Sequence, residues 1–320
     1  MISNVVSLRL LIILREISMI LIFLLYSFFG LSFALGKITL MYASPFYIVG
    51  TRMLVSGIGL GLFSHYFQFT QYLPQKKDWP AFMQVTLFGL ALPYCLRAWG
   101  LQYVSSTKAA FLFCLTPFFT ALLAYSFHQE RLSYQKKIGL IIGFLGMMPT
   151  LFTADLNEKL LGSVAFLSLP ELALIASVAF FSYNFIALRN LVNHRKYPVA
   201  VTNAITMFFG GIICLNVSFI AEPVWIFKNP ALLGVLLVVQ IIVSNLICAN
   251  LQAHLLKKYS STLMSFASLL TPLCASFFGW FLLEETLHYY YIISLILVLI
   301  GLGIFYYDEL SQEAPLSQPD

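Results

Sequence analysis

The feature that most limits what this chain can become is a succession of apolar runs, each about twenty residues long, separated by short polar breaks. At about 1.5 Å of rise per residue, a helix of that length crosses a hydrocarbon core roughly 30 Å thick. Ten runs qualify, at residues 17–37, 45–66, 80–100, 106–127, 134–154, 162–187, 198–220, 230–253, 260–282 and 288–307. Of the 320 residues 60% are hydrophobic and 10% charged, against about a quarter charged in soluble domains. No fold of this size could cover that much apolar surface in water. The runs are too long for the alternating strands of a membrane barrel. The expected fold is therefore an all-α polytopic membrane protein with ten transmembrane helices. Arg9 and Arg15 precede the first run as they would in a signal peptide, but the run continues to about Leu35. That exceeds a signal core of about 7–15 residues, so a retained first span is expected.

Charge sets partners and orientation. The formal net charge is +5, but the basic residues stand singly or in pairs at run ends. That pattern points to the lipid bilayer as partner and to no nucleic acid. With the N-terminus in the cytoplasm, twelve Lys and Arg fall on the cytoplasmic side and five on the other, with Arg52 inside a span. Both termini are thus expected to be cytoplasmic. Cys95, Cys114, Cys214, Cys248 and Cys274 all lie within apolar runs without a Cys-x-x-Cys pair, and read as packing residues. His65, His128, His194, His254 and His288 are scattered. No metal site, no catalytic residue and no cofactor is expected. A membrane-embedded enzyme acting on lipid is the alternative class, and a channel a third. "GLSFALGKI", from Gly30 to Ile38, imitates a phosphate-binding loop. It has one residue too many between its glycines and Ile38 where Ser or Thr is required.

The chain also says nearly the same thing twice. "SSTKAAFLFCLTPFF" begins at Ser105 and "SSTLMSFASLLTPLC" at Ser260, so that Thr116-Pro117 and Thr271-Pro272 stand 155 residues apart. Aligned on that pair, Glu130 matches Glu285, Tyr134 matches Tyr289 and Gly146 matches Gly301. With small shifts Pro45 and Gly57 match Pro198 and Gly210, and Pro80-Ala81 matches Pro230-Ala231. Each half holds five spans, so the second must enter the membrane upside down. Inverted repeats of this kind are built around a central cavity in alternating-access transporters. The halves are placed at residues 1–155 and 156–310, with 311–320 a disordered cytoplasmic tail.

The segments "PFYIVGTRMLVSGIGLGL", "WGLQYVSSTKAAFLFCLTPFFTALLAYSFHQERLSYQKKIGLIIGFLGMM" and "TPLCASFFGWFLLEETLHYYYIISLILVLIGLGI" carry a resemblance. They resemble the two EamA domains of the drug/metabolite transporter superfamily. The resemblance implies two inverted bundles of five helices, spans 1–4 and 6–9 around the cavity, and spans 5 and 10 peripheral. Ser294 and Val298 depart from the pattern, standing where the fifth span has Gly139 and Gly143. More faintly, the chain is similar to S-adenosylmethionine carriers of intracellular bacteria. The implied function is secondary or exchange transport of a small organic solute across the bacterial inner membrane, with a coupling ion or counter-substrate.

Candidate site residues follow from the cost of polar groups in a membrane. Glu171, ten residues into the run at 162–187, is expected near the midplane. There a carboxylate must be paired, protonated or facing water. It could hold a cationic group of the solute; an ion pair or a later helix start is the structural alternative. Arg52, at similar depth, could hold a carboxylate or tether helix ends. Together they suit a zwitterion such as an amino acid or S-adenosylmethionine. Tyr26 and Phe29 in the first span, and Tyr183 and Asn184 in the sixth, are expected around the solute, through stacking, cation–π contact and hydrogen bonding. Pro117 and Pro272 free the carbonyls of Phe113 and Ser268 and, with Pro170, are expected to bend or loosen their helices for gating. Glu130 and Glu285 read as caps or tethers, and Arg97 and Lys108 as snorkelling cations.

Overall fold

The computed structural model describes residues 2–66, 73–128, 134–146, 148–151, 163–164, 167–222, 228–259 and 261–313. Among them eight helices are long and apolar enough to cross a membrane. Two shorter apolar helices, Lys137–Gly146 and Tyr289–Gly301, stand at the fifth and tenth positions. The apolar runs therefore became helices, as their length requires. The first span lies within Ile2–Thr39, the second is Pro45–Tyr66, the sixth Leu169–Arg189, the seventh Val199–Ala221 and the tenth Tyr289–Glu313. That last helix runs to Glu313, three residues into the expected tail, and the rest of that tail lies outside the described residues. The sixth span also starts later than read. Ser163–Val164 and Leu167–Ser168 form a short antiparallel ladder, and the helix begins only at Leu169.

Four spans are interrupted midway, apart from the wide turn Asn190–His194 that ends the sixth. The third runs as Trp79–Gln84, a wide π-type stretch Val85–Ala91, and Leu92–Leu101. The eighth is Pro230–Gln240, a second wide stretch Ile241–Cys248, and Ala249–Leu255. In the third, the Leu92 amide reaches back to the Leu87 carbonyl, and Pro93, next in line, has no N–H to give. Nothing in the sequence explains the eighth span's wide turn. The fourth and ninth spans break at the repeated motif. Ser106–Leu112 is followed by a 3-10 turn, Phe113–Leu115, and then by Thr116–His128. Ser261–Ala267 is separated from Leu270–Leu283 at the matching place.

Packing shows how the halves interlock. The second and seventh spans cross on glycine: a Cβ on Gly57 would lie 2.5 Å from the Phe208 nitrogen, and one on Gly211 2.5 Å from the Leu54 nitrogen. A shift of 154 residues carries Gly57 onto Gly211 and Leu54 onto Phe208, so the contact is its own two-fold image. Gly211, rather than Gly210, is thus the structural counterpart of Gly57. The fifth and tenth helices also cross on glycine, with Gly301 against the Gly143 nitrogen and Gly139 carbonyl. Gly301 supplies the notch there, while Ser294 and Val298 are simply buried. Leu145, Phe144, Ile292 and Ile296 face outward and exposed, where a bilayer would cover them.

Candidate functional site

Carboxylates at one end of the bundle are already engaged. Glu285 accepts from the Ser106 and Thr107 amides at 2.6 and 3.0 Å and from the Thr107 hydroxyl at 2.7 Å, capping the fourth span from the other half. Glu222 does the same for the second span, accepting from the Phe46 and Tyr47 amides at 2.9 and 3.2 Å. The sequence expected Glu285 to cap; it did not single out Glu222. Glu130 lies outside the described residues. Lys37 donates to the carbonyls of Leu101, Gln102 and Val104 at the C-terminal end of the third span. At the opposite end Asp78 pairs with Arg195 and accepts from the Tyr197 hydroxyl at 2.5 Å.

Glu171 is not at the midplane. It occupies the third position of its helix, about 4.5 Å along the axis, in a capping box with Ser168, whose amide donates to it at 2.7 Å. Its other oxygen meets Lys108 Nζ at 2.7 Å, with both side chains about 1% exposed. Lys108 therefore does not snorkel; it is the buried partner. Pro170 sits in the same first turn, where a missing N–H breaks no helical bond, so it does not loosen the span. Arg52 is held elsewhere, with Nη1 donating to Gln240 Oε1 at 2.9 Å. Gln240 in turn donates to Thr39 Oγ1 at 2.7 Å.

The structure instead gathers an aromatic ladder ending in two arginines. Tyr26 and Phe29 are 6.0 Å apart, Phe29 meets Phe181 at 6.2 Å, and Phe181 meets Phe113 at 5.8 Å. Phe113 meets Phe33 at 5.2 Å. The Arg97 guanidinium lies 5.0 Å from the Phe33 ring and 4.8 Å from the Tyr94 ring, and Arg52 lies 5.3 Å from that same Tyr94 ring. The ladder crosses both halves, with Phe113 at its centre on the 3-10 turn before Pro117. The Phe113 carbonyl, which Pro117 cannot reach, accepts the Thr116 hydroxyl at 2.6 Å. The Ser268 carbonyl likewise takes the Thr271 amide at 2.9 Å. Both breaks are thus satisfied locally, the first by the threonine hydroxyl and the second by the threonine backbone amide.

Tyr26 and Phe29 join this ladder, and the Tyr26 hydroxyl donates to the Met264 carbonyl. Tyr183 and Asn184 do not join it: they face the third span. Tyr183 reaches Gln84 at 3.5 Å and Phe88 edge-on, and Asn184 abuts Gly89, where a Cβ would collide with the Asn184 Oδ1. Phe113, Phe33, Tyr94 and Arg97 escaped the sequence reading as site residues. A second arginine inside an apolar run was the available signal.

Interlocked, glycine-crossed halves with matched broken helices define a multi-pass membrane transporter. A profile of the EamA-like transporter family matches residues 16–152 and again 168–307, and the chain belongs to that family. It is similar to the S-adenosylmethionine/S-adenosylhomocysteine transporter of Chlamydia muridarum (strain MoPn / Nigg), at 34% identity over 95% of this chain and 96% of the relative. Its likeness to the transporter of the same description from Chlamydia trachomatis serovar L2 is 33% over 93% of this chain and 91% of the relative. A solved structure matches with a TM-score of 0.68 over 93% of this chain and 99% of its own, at 17% identity, a likeness of fold. Small-solute transport is therefore the function class, ahead of the lipid enzyme and the channel.

Proposed function

We propose that this protein carries S-adenosylmethionine across the bacterial inner membrane by alternating access, with S-adenosylhomocysteine as counter-substrate. Both termini lie in the cytoplasm on this reading, and Glu222, Glu285 and Glu171 mark the outer end. The carrying observation is the ladder from Tyr26 to Arg52. Its rings are buried against one another in this state; parted by the solute, they would give π faces to an adenine ring and a sulfonium, with guanidinium donors for an amino-acid carboxylate. The similarity to curated carriers over almost the whole chain supports the same solute. Phe113 links the ladder to the hinge of the fourth span, so that occupancy and bending are coupled. The test is uptake of labelled S-adenosylmethionine by proteoliposomes. Saturable uptake, suppressed by unlabelled S-adenosylhomocysteine but not by methionine alone, is expected. Uptake no faster than in protein-free vesicles overturns the proposal.

A further inference from the structure

Two guanidiniums share one ring inside the membrane-spanning bundle, and no carboxylate lies within 4.0 Å of either among the described residues. The acids nearest the same end are committed elsewhere. Glu171 serves Lys108, Glu222 the second span's amides, and Glu285 the fourth span's. Arg52 is 3% exposed, gives one nitrogen to Gln240, and leaves Nε without an acceptor. Among the described residues Arg97 shows ring contacts only, to Phe33 and Tyr94. Like charges in a low-dielectric interior repel strongly, and each unpaired donor adds a desolvation cost. A guanidinium presents its donors as a planar fork that matches a carboxylate. An anionic group seated beside Tyr94 would relieve both costs at once.

We propose that Arg97 and Arg52 form the subsite that holds the carboxylate of the transported solute, with Tyr94 fixing the spacing of the two guanidiniums; this rests on the solute reading above. Arg97 is then the specificity-determining residue, because Arg52 is already tied to Gln240. The rings of Phe33 and Phe113 lead away from the subsite and place the apolar remainder of the solute along the ladder. Solutes that keep the nucleoside but lack the carboxylate lose the interaction.

The experiment measures binding to purified full-length protein by ligand-induced thermal stabilisation. The probes are S-adenosylmethionine, its decarboxylated form and methionine, and the proteins are wild type, R97K and R97Q. Wild type is expected to bind S-adenosylmethionine at least about tenfold more tightly than the decarboxylated form, the scale of a charge-assisted hydrogen bond. R97Q removes that preference, R97K keeps part of it, and neither changes affinity for the decarboxylated form. The wild-type comparison needs no variant and decides the matter even if R97Q does not fold. Equal wild-type affinity for the two nucleosides overturns the subsite, as does equal weakening of both by R97Q. Stabilisation of wild type by methionine but not by S-adenosylmethionine overturns the solute reading and leaves the carboxylate subsite standing. Stabilisation by neither carboxylate-bearing probe overturns the subsite.

Discussion

Glu171 shows what one residue's depth is worth. Read as ten residues into a span, it is a lone midplane carboxylate that ought to bind something. Placed three residues into its helix, it is a cap with a buried lysine beside it. The difference is the short ladder before Leu169, a chain reversal that an apolar run does not reveal. Gln can still fill the third position of a capping box, so E171Q removes the charge and keeps the cap. It removes the carboxylate charge that Lys108 pairs with, and breaking a buried pair costs about 3–5 kcal/mol. E171Q should therefore melt at lower temperature and yield less folded protein, while the surviving fraction binds S-adenosylmethionine normally. Neutralising both partners in K108M/E171Q should recover much of the loss. A well-folded E171Q with lost affinity would return Glu171 to the solute site. Arg52 was legible as a charge in a span, and its partner was not. Gln240 and Tyr94 come from the eighth and third spans, and no spacing in the sequence announces such a meeting.

Among elements, the broken helices were the most readable, because a proline leaves a definite carbonyl four residues back. Phe113 and Ser268 are those carbonyls, and both breaks occur there. The wide turns of the third and eighth spans were not readable, although the third is followed by Pro93. On the proposed reading, the ladder gives the fourth-span break a larger part than its symmetry mate. Phe113 touches both Phe33 and Phe181, rings contributed by different halves. P117A restores a backbone N–H donor at position 117 and should straighten the turn that aims Phe113. Turnover in proteoliposomes should fall severalfold, and more than the amount of folded protein. P272A should do the same more weakly, since position 268 carries only a serine. Full activity in both variants would leave the breaks without a part in transport.

On the scale of the whole molecule, the repeat foretold the architecture because duplication leaves its mark in the order of motifs. The reciprocal crossing of Gly57 on Phe208 and Gly211 on Leu54 is the physical form of that duplication. What the order of motifs could not give is which contacts the halves share, since those depend on side chains that diverged after the copy was made. Ser32 with Ser244 and Tyr26 with the Met264 carbonyl are such contacts. An even number of spans and the excess of Lys and Arg in alternate loops predict cytoplasmic termini. A reporter fused after Asp320 that is active only in the cytoplasm should be active, and one requiring export should be silent; the reverse pattern contradicts that topology. The central claim, an alternating-access carrier of S-adenosylmethionine, meets its most direct test in counterflow. Proteoliposomes preloaded with unlabelled S-adenosylhomocysteine should take up labelled S-adenosylmethionine faster than empty ones, with a transient accumulation above equilibrium. Equal rates in loaded and empty vesicles, without that overshoot, would contradict it.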